Sequence, residues 1–413
     1  MIRKYKKTAN KMKILIVFGY GNLFLPRAGN ESRLNHITRG LAIQNDVITL
    51  ERMEFQKNIE DTNIVQKRYF FNDLNFKHTH FGVFFSDFNP FYFLKIHEII
   101  KNESPDIIQI SYPRGVLAAK LCKLLNRSKN IEVIYESHDV QIEVSKVNSN
   151  DLSVSYIKRK VIYFYDKIIE RIAVSVADHI TTVSDLDKAK FIDLYSIDPL
   201  KITVIPSPIE IPKLDGIGSK IKCRDNLGIE SDKIVVIFHG VYNYLPNREA
   251  VNWIENYIAP EINKIYDNVT FVIAGKGLIK GHKNNIIYLG FVDNLHEFLK
   301  TADIAIVPVL KGGGTRIKIL DYLCMGLPIV TTKKGIEGIE AENGKSAIIV
   351  DDLNDEFLTS LINLIEHEQY RKNIGANARR LADEKYEYNK VGEKLSNLYH
   401  NLAKNKKSTD EFV

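Results

Sequence analysis

Three consecutive glycines followed by arginine, lysine and aspartate form the strongest chemical signal in this sequence. They lie in VPVLKGGGTRIKILDYLCMGLPIVTT, residues 307–332, where a strand is predicted to end at Val309 and a helix to open at Thr315. Glycines let a backbone approach a phosphate closely, and the free N–H groups of a helix start attract an anion. The segment therefore predicts a phosphate site that includes Gly313, Gly314 and Thr315.

The charged residues of this segment are spaced to bind the rest of a nucleotide. Arg316 adds a forked donor suited to a diphosphate. Lys318 and Asp321 are three residues apart and share a helix face, so an ammonium group could reach phosphate while a carboxylate reaches ribose hydroxyls. Taken singly, these residues also fit a surface salt bridge after a plain turn. Their order along the chain favours nucleotide binding.

Further candidates follow other predicted strands. His138 lies just past the strand in VIYESHDV. Asp139 beside it could orient the imidazole, bind a sugar hydroxyl or cap the next segment. Gly29 follows the first strand in the loop PRAGNESR and heads a helix, with Glu31 and Arg33 as weaker candidates. A structural histidine and a turn glycine are the plain alternatives.

Cofactor and metal sites are not expected. The motif AGKG at 274–277 imitates a dinucleotide fingerprint, but LIKGHKNN and another strand follow where a phosphate-binding helix should begin, which argues against NAD. The acids of DLD at 185–187 are interpreted as first-turn residues of a helix. The three cysteines, Cys122, Cys223 and Cys324, are widely spaced, without CxxC or a neighbouring histidine, so neither a metal nor a disulfide is predicted.

The composition is that of an ordinary globular protein. Its 413 residues are 45% hydrophobic and 26% charged, and this length predicts two to three domains. Apolar runs such as ILIVF at 14–18 fall far short of the roughly 20 residues that a spanning helix needs. No apolar segment near the N-terminus is typical of a signal peptide. We therefore expect a cytoplasmic protein.

The net charge of +6 sits at one end of the chain. Residues 1–13 carry six basic residues and no acid, so the rest of the chain balances to zero. A nucleic-acid-binding protein would usually spread its basic residues over a folded face, so no nucleic acid is expected. Residues 1–11 are predicted to form a disordered basic arm, either merely solvated or a weak tether to anionic lipid on the inner face of the membrane. The aromatic stretch 76–100 is either core under a long connection or an exposed apolar lip for a lipid-linked or hydrophobic acceptor.

Short β-branched runs alternate with amphipathic helical stretches, as in parallel sheets covered on both faces. The strands predicted in the first half are 14–18, 46–50, 106–111, 132–137, 179–183 and 201–206. Those predicted in the second half are 233–238, 269–274, 285–290, 303–309, 328–332 and 347–352. Two successive α/β series predict two Rossmann-like domains facing each other across a cleft, with ligands beyond the carboxyl ends of the strands.

The domain boundaries follow from breaks in this pattern. Residues 208–230 are rich in Pro and Gly turns and have no period, so they are predicted to form a linker between domains at 12–207 and 231–385. Apolar residues recur at helical spacing near the C-terminus, so 386–404 is predicted to be a helix with one buried stripe. The residues of that stripe are Val391, Leu395, Leu398 and Leu402.

The run GGGTRIKILD resembles the family 4 glycosyltransferases of the GT-B fold, in the branch whose motif is GxGTRIKxLE. In the second half the likeness extends to FHGVYNYLPNREAVNWI (238–254), FVIAGKG (271–277) and YLGFVDN (288–294). In the first half it extends to PRAGNESRLNHITRGLA (26–42), TTVSDLDKAKF (181–191) and VIPSPIEI (204–211). The resemblance covers roughly residues 12–400.

The resemblance implies roles for individual residues. Asp321 stands where the family usually has the Glu that binds the donor ribose. Gly313 stands where many members have the first Glu of an E-x7-E pair, a carboxylate that this branch lacks. Arg316 and Lys318 would replace an Arg and a Lys that many relatives carry after the first strand of the second domain. The other residues implied to contact the donor or its sugar are Gly29, His138, Asn247, Gly275, Phe291, Val292, Gly314 and Thr315.

The fold and the reaction are implied by the same resemblance. The first domain would be the acceptor side of a GT-B fold, the second would bind the nucleotide sugar, and the C-terminal helix would cross back to the first. The expected reaction is a retaining, metal-independent transfer from a nucleotide-diphosphate sugar to a glycan, lipid-linked or other acceptor. Two alternatives stay open: a sugar-nucleotide epimerase of similar fold, and a non-catalytic sugar-nucleotide-binding subunit.

Overall fold

The computed structural model describes residues 11–26, 29–55, 64–72, 89–128, 130–148, 155–213 and 216–410. Most of the predicted basic arm and residues 76–88 of the aromatic stretch lie outside the described residues. The chain divides into two compact units. Unit 1 contains Met1–Pro208 and Tyr388–Val413, and unit 2 contains Ile209–Glu387. Among the described residues, no helix combines the length and the apolar character needed to cross a bilayer.

Unit 1 is built on a seven-stranded sheet whose neighbouring strands are all parallel. Its strands are β1 (Lys13–Phe18), β2 (Asp46–Arg52), β3 (Lys67–Phe71), β4 (Ile107–Ser111), β5 (Glu132–Glu136), β6 (His179–Thr182) and β7 (Ile202–Val204). Their order is β3-β2-β1-β4-β5-β6-β7, so strand order reverses between β1 and β4. The sequence did not predict β3, which opens with two basic residues and fully buries only Phe71.

Within the described part of the first chain segment, six α-helices cover this sheet. They are α1 (Gly29–Ala42), α2 (Pro90–Glu103), α3 (Val116–Leu125), α4 (Gln141–Asn148), α5 (Tyr156–Val176) and α6 (Asp185–Tyr195). Their starts have local causes. Asn89 accepts a hydrogen bond from the backbone N–H of Phe91 ahead of α2, and Ser184 accepts one from that of Asp187 ahead of α6. The DLD acids therefore lie in the first turn of α6, as predicted.

Unit 2 is built on a second seven-stranded sheet. Its strands are β8 (Ile234–His239), β9 (Val269–Ala274), β10 (Gly281–Lys283), β11 (Ile286–Gly290), β12 (Ile304–Val307), β13 (Ile329–Thr332) and β14 (Ile348–Val350). The order is β10-β11-β9-β8-β12-β13-β14, and strand order reverses between β8 and β12. All pairs are parallel except β10 with β11, an exposed antiparallel edge that the sequence did not predict. The two parallel sheets confirm the predicted pair of Rossmann-like domains.

Seven α-helices of the described residues surround the second sheet. They are α7 (Lys220–Asn226), α8 (Leu245–Trp253), α9 (Ala259–Ile265), α10 (Leu295–Lys300), α11 (Ile317–Cys324), α12 (Asp355–Glu366) and α13 (Glu368–Leu381). Helix α7 lies inside the segment predicted as a linker. Its Arg224 is buried and donates to the carbonyl of Thr301 at 2.9 Å and to Asp303 at 2.7 Å. Because these bonds anchor α7 to unit 2, this part of the segment is packed structure.

The C-terminal helix, α14 (Tyr388–Asp410), returns to unit 1 and contacts α1. Its buried residues Val391, Leu395 and Tyr399 complete a core that also holds residues of β1 and α1. The Tyr399 hydroxyl donates to Gln109 Oε1 at 2.8 Å inside that core. The predicted return of this helix to the first domain is confirmed, because its apolar stripe fills the core of unit 1.

Candidate functional site

The carboxyl ends of β8 and β12 lie side by side where strand order reverses in the unit 2 sheet. Strand β8 ends at His239 and is followed by Gly240, and the glycine loop follows β12. Open α/β sheets bind ligands just beyond the strands at such a reversal. The predicted glycine loop therefore occupies the edge of the sheet where this architecture provides a crevice.

Backbone conformation and one arginine shape the glycine loop. Gly312 and Gly314 have φ angles of 120° and 65°, in the region that favours glycine. Arg316 has an extended backbone, with φ −79° and ψ 96°, so α11 begins at Ile317 and not at Thr315 as predicted. The Arg316 guanidinium donates to loop carbonyl oxygens of Lys311 (3.3 Å), Gly312 (3.1 Å), Gly313 (3.0 Å) and Gly314. In this arrangement the guanidinium braces the loop from within.

Lys318 projects its ammonium group into a mostly enclosed space. Its Nζ donates to Asn247 Oδ1 at 2.7 Å and lies 4.0 Å from the centre of the Phe238 ring. Desolvation, together with the charge of Arg316, lowers the pKa of Lys318 to about 7, although Asp321 acts in the opposite direction. An ammonium group held in this way gains from any anion that enters its surroundings.

Asp321 lies one turn further along α11 and faces the end of β8. Its Oδ2 is 3.5 Å from His239 Nε2, and its side chain is 13% exposed. Desolvation raises the pKa of Asp321 to about 7, against the opposing effect of Lys318. Desolvation also lowers the pKa of His239 to about 3, so this imidazole stays neutral near pH 7. The buried hydroxyl of Thr315, two residues before α11 begins, finds no hydrogen-bond partner among the described residues.

Glycines allow the loops after β8 and β9 to approach each other closely. A Cβ on Gly275 would lie 1.8 Å from the carbonyl oxygen of Gly240, and one on Gly240 would lie 2.8 Å from Lys318 Nζ. The Gly275 N–H donates to the Gly290 carbonyl at 2.7 Å, which ties the end of β11 to the same edge. Phe291 and Val292 follow β11 directly, Phe291 exposed and Val292 half-buried. The structure thus gathers the predicted donor-binding residues of unit 2 at one edge of its sheet.

A second polar cluster lies at the carboxyl end of β5 in unit 1, centred on Glu136. The carboxylate accepts from Arg33 Nε at 2.9 Å and from the Ser111 hydroxyl at 2.7 Å, and it contacts His138 Nε2 at 2.8 Å. Burial alone would raise the pKa of Glu136, but the charges of His138 and Arg33 hold it well below its usual range. Arg33 also donates to the Ser207 hydroxyl at 2.9 Å, so its guanidinium forms hydrogen bonds to two side chains of this cluster.

His138 is therefore a buried residue with one ring nitrogen engaged. Its imidazole stacks on the Tyr112 ring at a centroid distance of 4.8 Å. Its Nδ1 is buried and has no hydrogen-bond partner among the described residues. Gly29 is the first residue of α1, and Glu31 in the first turn accepts from the backbone N–H of Asn22 at 3.1 Å. In unit 1, the structure places His138 in the Glu136 cluster and Gly29 at the start of α1.

Sequence reasoning missed Glu136, Tyr112 and His239. Two of these had a detectable signal, because Glu136 and His239 are charged or titratable residues at the ends of apolar strands, EVIYE and IVVIFH. Such residues reach the edge where parallel sheets bind ligands. Tyr112 gave no signal, since only the three-dimensional structure shows its ring against His138.

Each of the two units matches a known family of glycosyltransferases. The family described as "Glycosyltransferase Family 4" matches residues 44–212. The family described as "Glycosyl transferases group 1" matches residues 233–367. The two matches fall in unit 1 and unit 2 almost entirely, and together they span most of the chain.

Individual relatives and a solved structure agree with these matches. An uncharacterized glycosyltransferase of Methanocaldococcus jannaschii is 27% identical over 303 residues, 70% of this chain and 72% of that protein. The UDP-Gal:alpha-D-GlcNAc-diphosphoundecaprenol alpha-1,3-galactosyltransferase of Escherichia coli is 23% identical over 330 residues, 76% of this chain and 80% of that protein. Sucrose-phosphate synthase from Thermosynechococcus elongatus superposes with a TM-score of 0.73 at 12% identity, covering 95% of this chain and 99% of that one.

Proposed function

Because this chain is a glycosyltransferase of family 4 with the GT-B fold, which transfers a sugar from a nucleotide sugar, we propose that its donor is held at the carboxyl edge of the unit 2 sheet. The observation that carries this proposal is the enclosed ammonium group of Lys318 beside the glycine loop. We propose further that transfer retains the anomeric configuration and needs no metal ion. Retention is supported by the family motif of the loop.

The donor diphosphate lies between the glycine loop and Lys318. Backbone N–H groups at the start of α11 and the Lys318 ammonium neutralise charge that grows on the leaving diphosphate as the glycosidic bond breaks. Stabilising such charge is usually the largest single term in catalysis. Arg316 contributes in two ways: its charge lies near the phosphates, and its hydrogen bonds hold the loop carbonyls away from them. These cations do the work that a divalent metal does in other transferases.

The nucleoside is bound by the neighbouring loops. Asp321 accepts hydrogen bonds from the ribose hydroxyls, with His239 beside it. Asn247 positions Lys318 through its Oδ1, and the backbones near Gly275, Phe291 and Val292 border the base. Since the galactosyltransferase of Escherichia coli uses UDP-Gal, uridine diphosphate is the proposed nucleotide.

In unit 1, His138 contacts the transferred sugar, and the loop at Gly29 approaches the donor phosphate or the acceptor. The unpartnered Nδ1 of His138 supports this role, because Glu136 already engages Nε2 and fixes the ring. The acceptor is a glycan or a lipid-linked saccharide. The diphosphoundecaprenol-linked acceptor named for the Escherichia coli relative supports the second class.

Calorimetric titration of UDP and of uridine tests the donor site. Lys318→Met should weaken UDP binding by about 1.5–3 kcal/mol, the range for a charge-assisted hydrogen bond, while uridine binding stays nearly unchanged. Lys311→Ala is the matched control, since this lysine of the same loop is exposed and pairs with Glu249. It should leave both affinities as they are. Equal losses for UDP and uridine in Lys318→Met would place the diphosphate elsewhere.

A further inference from the structure

Helix α5 in unit 1 turns an apolar stripe outward. Ile157, Val161, Phe164 and Ile168 are spaced by four, three and four residues, which puts them on one helical face. Their side chains are 75%, 43%, 58% and 57% exposed, respectively. Single exposed apolar residues are normal in globular proteins, but four in one stripe on one helix are not. We call these four residues the α5 stripe.

The acids of the same helix point inward. Asp166 and Glu170 are the only acidic residues of α5, and both are buried. Asp166 accepts a hydrogen bond from Arg114 at 3.0 Å, and Glu170 accepts from the backbone N–H of Gln141 at 2.9 Å and from the Tyr195 hydroxyl at 2.6 Å. These hydrogen bonds fix the rotation of α5 about its own axis, and this rotation directs the stripe towards solvent.

Basic residues accompany the stripe on the outer face. Lys160, Lys167 and Arg171 are all exposed, and their spacing places them along one side of the stripe. Helix α3 packs beside α5 and exposes further apolar side chains. These are Leu121, Leu124 and Leu125. The outer face of α5 thus combines apolar and positively charged groups and carries no acid.

We propose that the outer face of α5 docks on the surface of a lipid bilayer that contains anionic headgroups. Apolar side chains on one face flanked by Lys and Arg are the composition of helices that lie in a membrane interface. The stripe would enter the boundary between headgroups and acyl chains while the three bases contact lipid phosphates. This inference goes beyond the proposed sugar transfer and does not depend on it.

The charge pattern favours lipid over a second copy of this chain. A symmetric dimer through this face would bring the same patch of each subunit together, and so oppose its bases to those of the partner. Anionic headgroups complement them instead, with each base near the surface strengthening binding about fivefold. An acidic protein partner can be distinguished from lipid by experiment, because vesicle binding by the purified chain requires no protein partner.

Cosedimentation of the full chain with vesicles tests this proposal. We expect binding to vesicles of phosphatidylcholine with about one-third phosphatidylglycerol, weakening with salt, and little binding to phosphatidylcholine alone. The triple variant Val161→Ser, Phe164→Ser, Ile168→Ser should lose about tenfold or more in partitioning. Lys160→Gln with Lys167→Gln should lose about 25-fold, two fivefold steps. The matched control Ile265→Ser, at a residue 58% exposed in unit 2, should bind as the parent chain does.

Three outcomes would overturn the proposal. The parent chain could fail to bind anionic vesicles, or the stripe and lysine variants could bind as well as the parent, which would assign binding to another segment such as the basic N-terminal residues. Sedimentation velocity without lipid could instead show a dimer that the stripe variants convert to monomer. UDP binding, measured in the same preparations, should be unchanged in every variant, so a failure here is distinct from a failure of the donor site.

Discussion

At the scale of single residues, burial sets the ionisation of the proposed donor site. Lys318 and Asp321 share one small space at the end of β8, and desolvation moves the pKa of each to about 7 from opposite directions. Such strong perturbation beside a glycine loop is typical of functional sites. A diphosphate bound beside Lys318 would be a negatively charged partner for its ammonium group. It should therefore raise the pKa of Lys318, and binding should be accompanied by the uptake of a proton.

UDP affinity should therefore depend on pH with a definite sign. Below about pH 7 Lys318 is charged before and after binding, so its contribution is constant. Above that, only the complex holds the proton, and affinity should fall by up to tenfold per pH unit as pH rises. The other charged or titratable groups that face Lys318 among the described residues are Arg316, Asp321 and His239. Above about pH 7.5 their protonation states stay constant, because Arg316 remains charged, Asp321 is ionised and His239 is neutral.

Calorimetry between about pH 7.5 and 9.5, in buffers of different ionisation enthalpy, measures both affinity and proton uptake. Lys318→Met should give a flat profile without uptake. If the parent chain also gives a flat profile, Lys318 does not contact the diphosphate.

The sequence alone indicates which residues gather at this candidate site, but it does not indicate the hydrogen bonds that they form there. Arg316, Lys318 and Asp321 were identifiable because they lie within six consecutive residues, the last two of them on helix α11. The partners of those residues come from elsewhere: Asn247 lies 71 positions from Lys318 along the chain, and the carbonyls bound by Arg316 depend on the backbone path of the loop. No local pattern encodes either feature.

At the scale of elements, the site depends on how closely loops after neighbouring strands approach. Strands with continuous apolar runs were predictable, because burial on both faces requires such runs. Helix α7 was not predictable, since the Pro and Gly residues around it suggested a linker, whereas Arg224 anchors it to unit 2. The close approach of the loops after β8 and β9 could not be predicted from the sequence either. It depends on the contact between Gly240 and Gly275, which forms only in the folded sheet.

Gly275→Ala should separate these loops and destabilise unit 2. The new methyl group would lie 1.8 Å from a backbone oxygen that cannot rotate away, and overpacking of this kind costs about 1–3 kcal/mol. The midpoint of thermal unfolding should fall, and UDP affinity should fall with it. Gly281→Ala is the control, since a Cβ there meets nothing within 4 Å. Identical melting of the two variants would show that the loops yield without cost.

At the scale of the whole molecule, unit 1 is assembled from two distant stretches of chain. The first 208 residues supply its sheet, and α14 returns after unit 2 is complete. Its apolar stripe predicted a buried helix, and the family resemblance predicted where it would be buried. Chain order alone favours docking on the preceding unit, so the sequence pattern by itself could not decide between the two.

The crossing of α1 and α14 supplies the last prediction. Gly40 and Gly392 lie face to face, and a Cβ on Gly392 would come within 2.5 Å of Gly40 backbone atoms. Glycine inside a helix is unfavourable by roughly 1 kcal/mol relative to alanine, so its presence here is explained by this close approach. Gly392→Val should force the helices apart and loosen the core around Val391, Leu395 and Tyr399.

The variant should lower the midpoint of thermal unfolding by roughly 3–10 °C, as expected for about 1–3 kcal/mol in a unit of this size. UDP binding at low temperature should persist, because the residues proposed to bind UDP, apart from Gly29, belong to unit 2. Gly216→Val serves as control, since nothing lies within 4 Å of a Cβ at that position. Unchanged melting of Gly392→Val would mean that the contact between α1 and α14 contributes little to unit 1. Loss of UDP binding with unchanged melting would instead mean that α14 acts on the donor site and not on the unit 1 core.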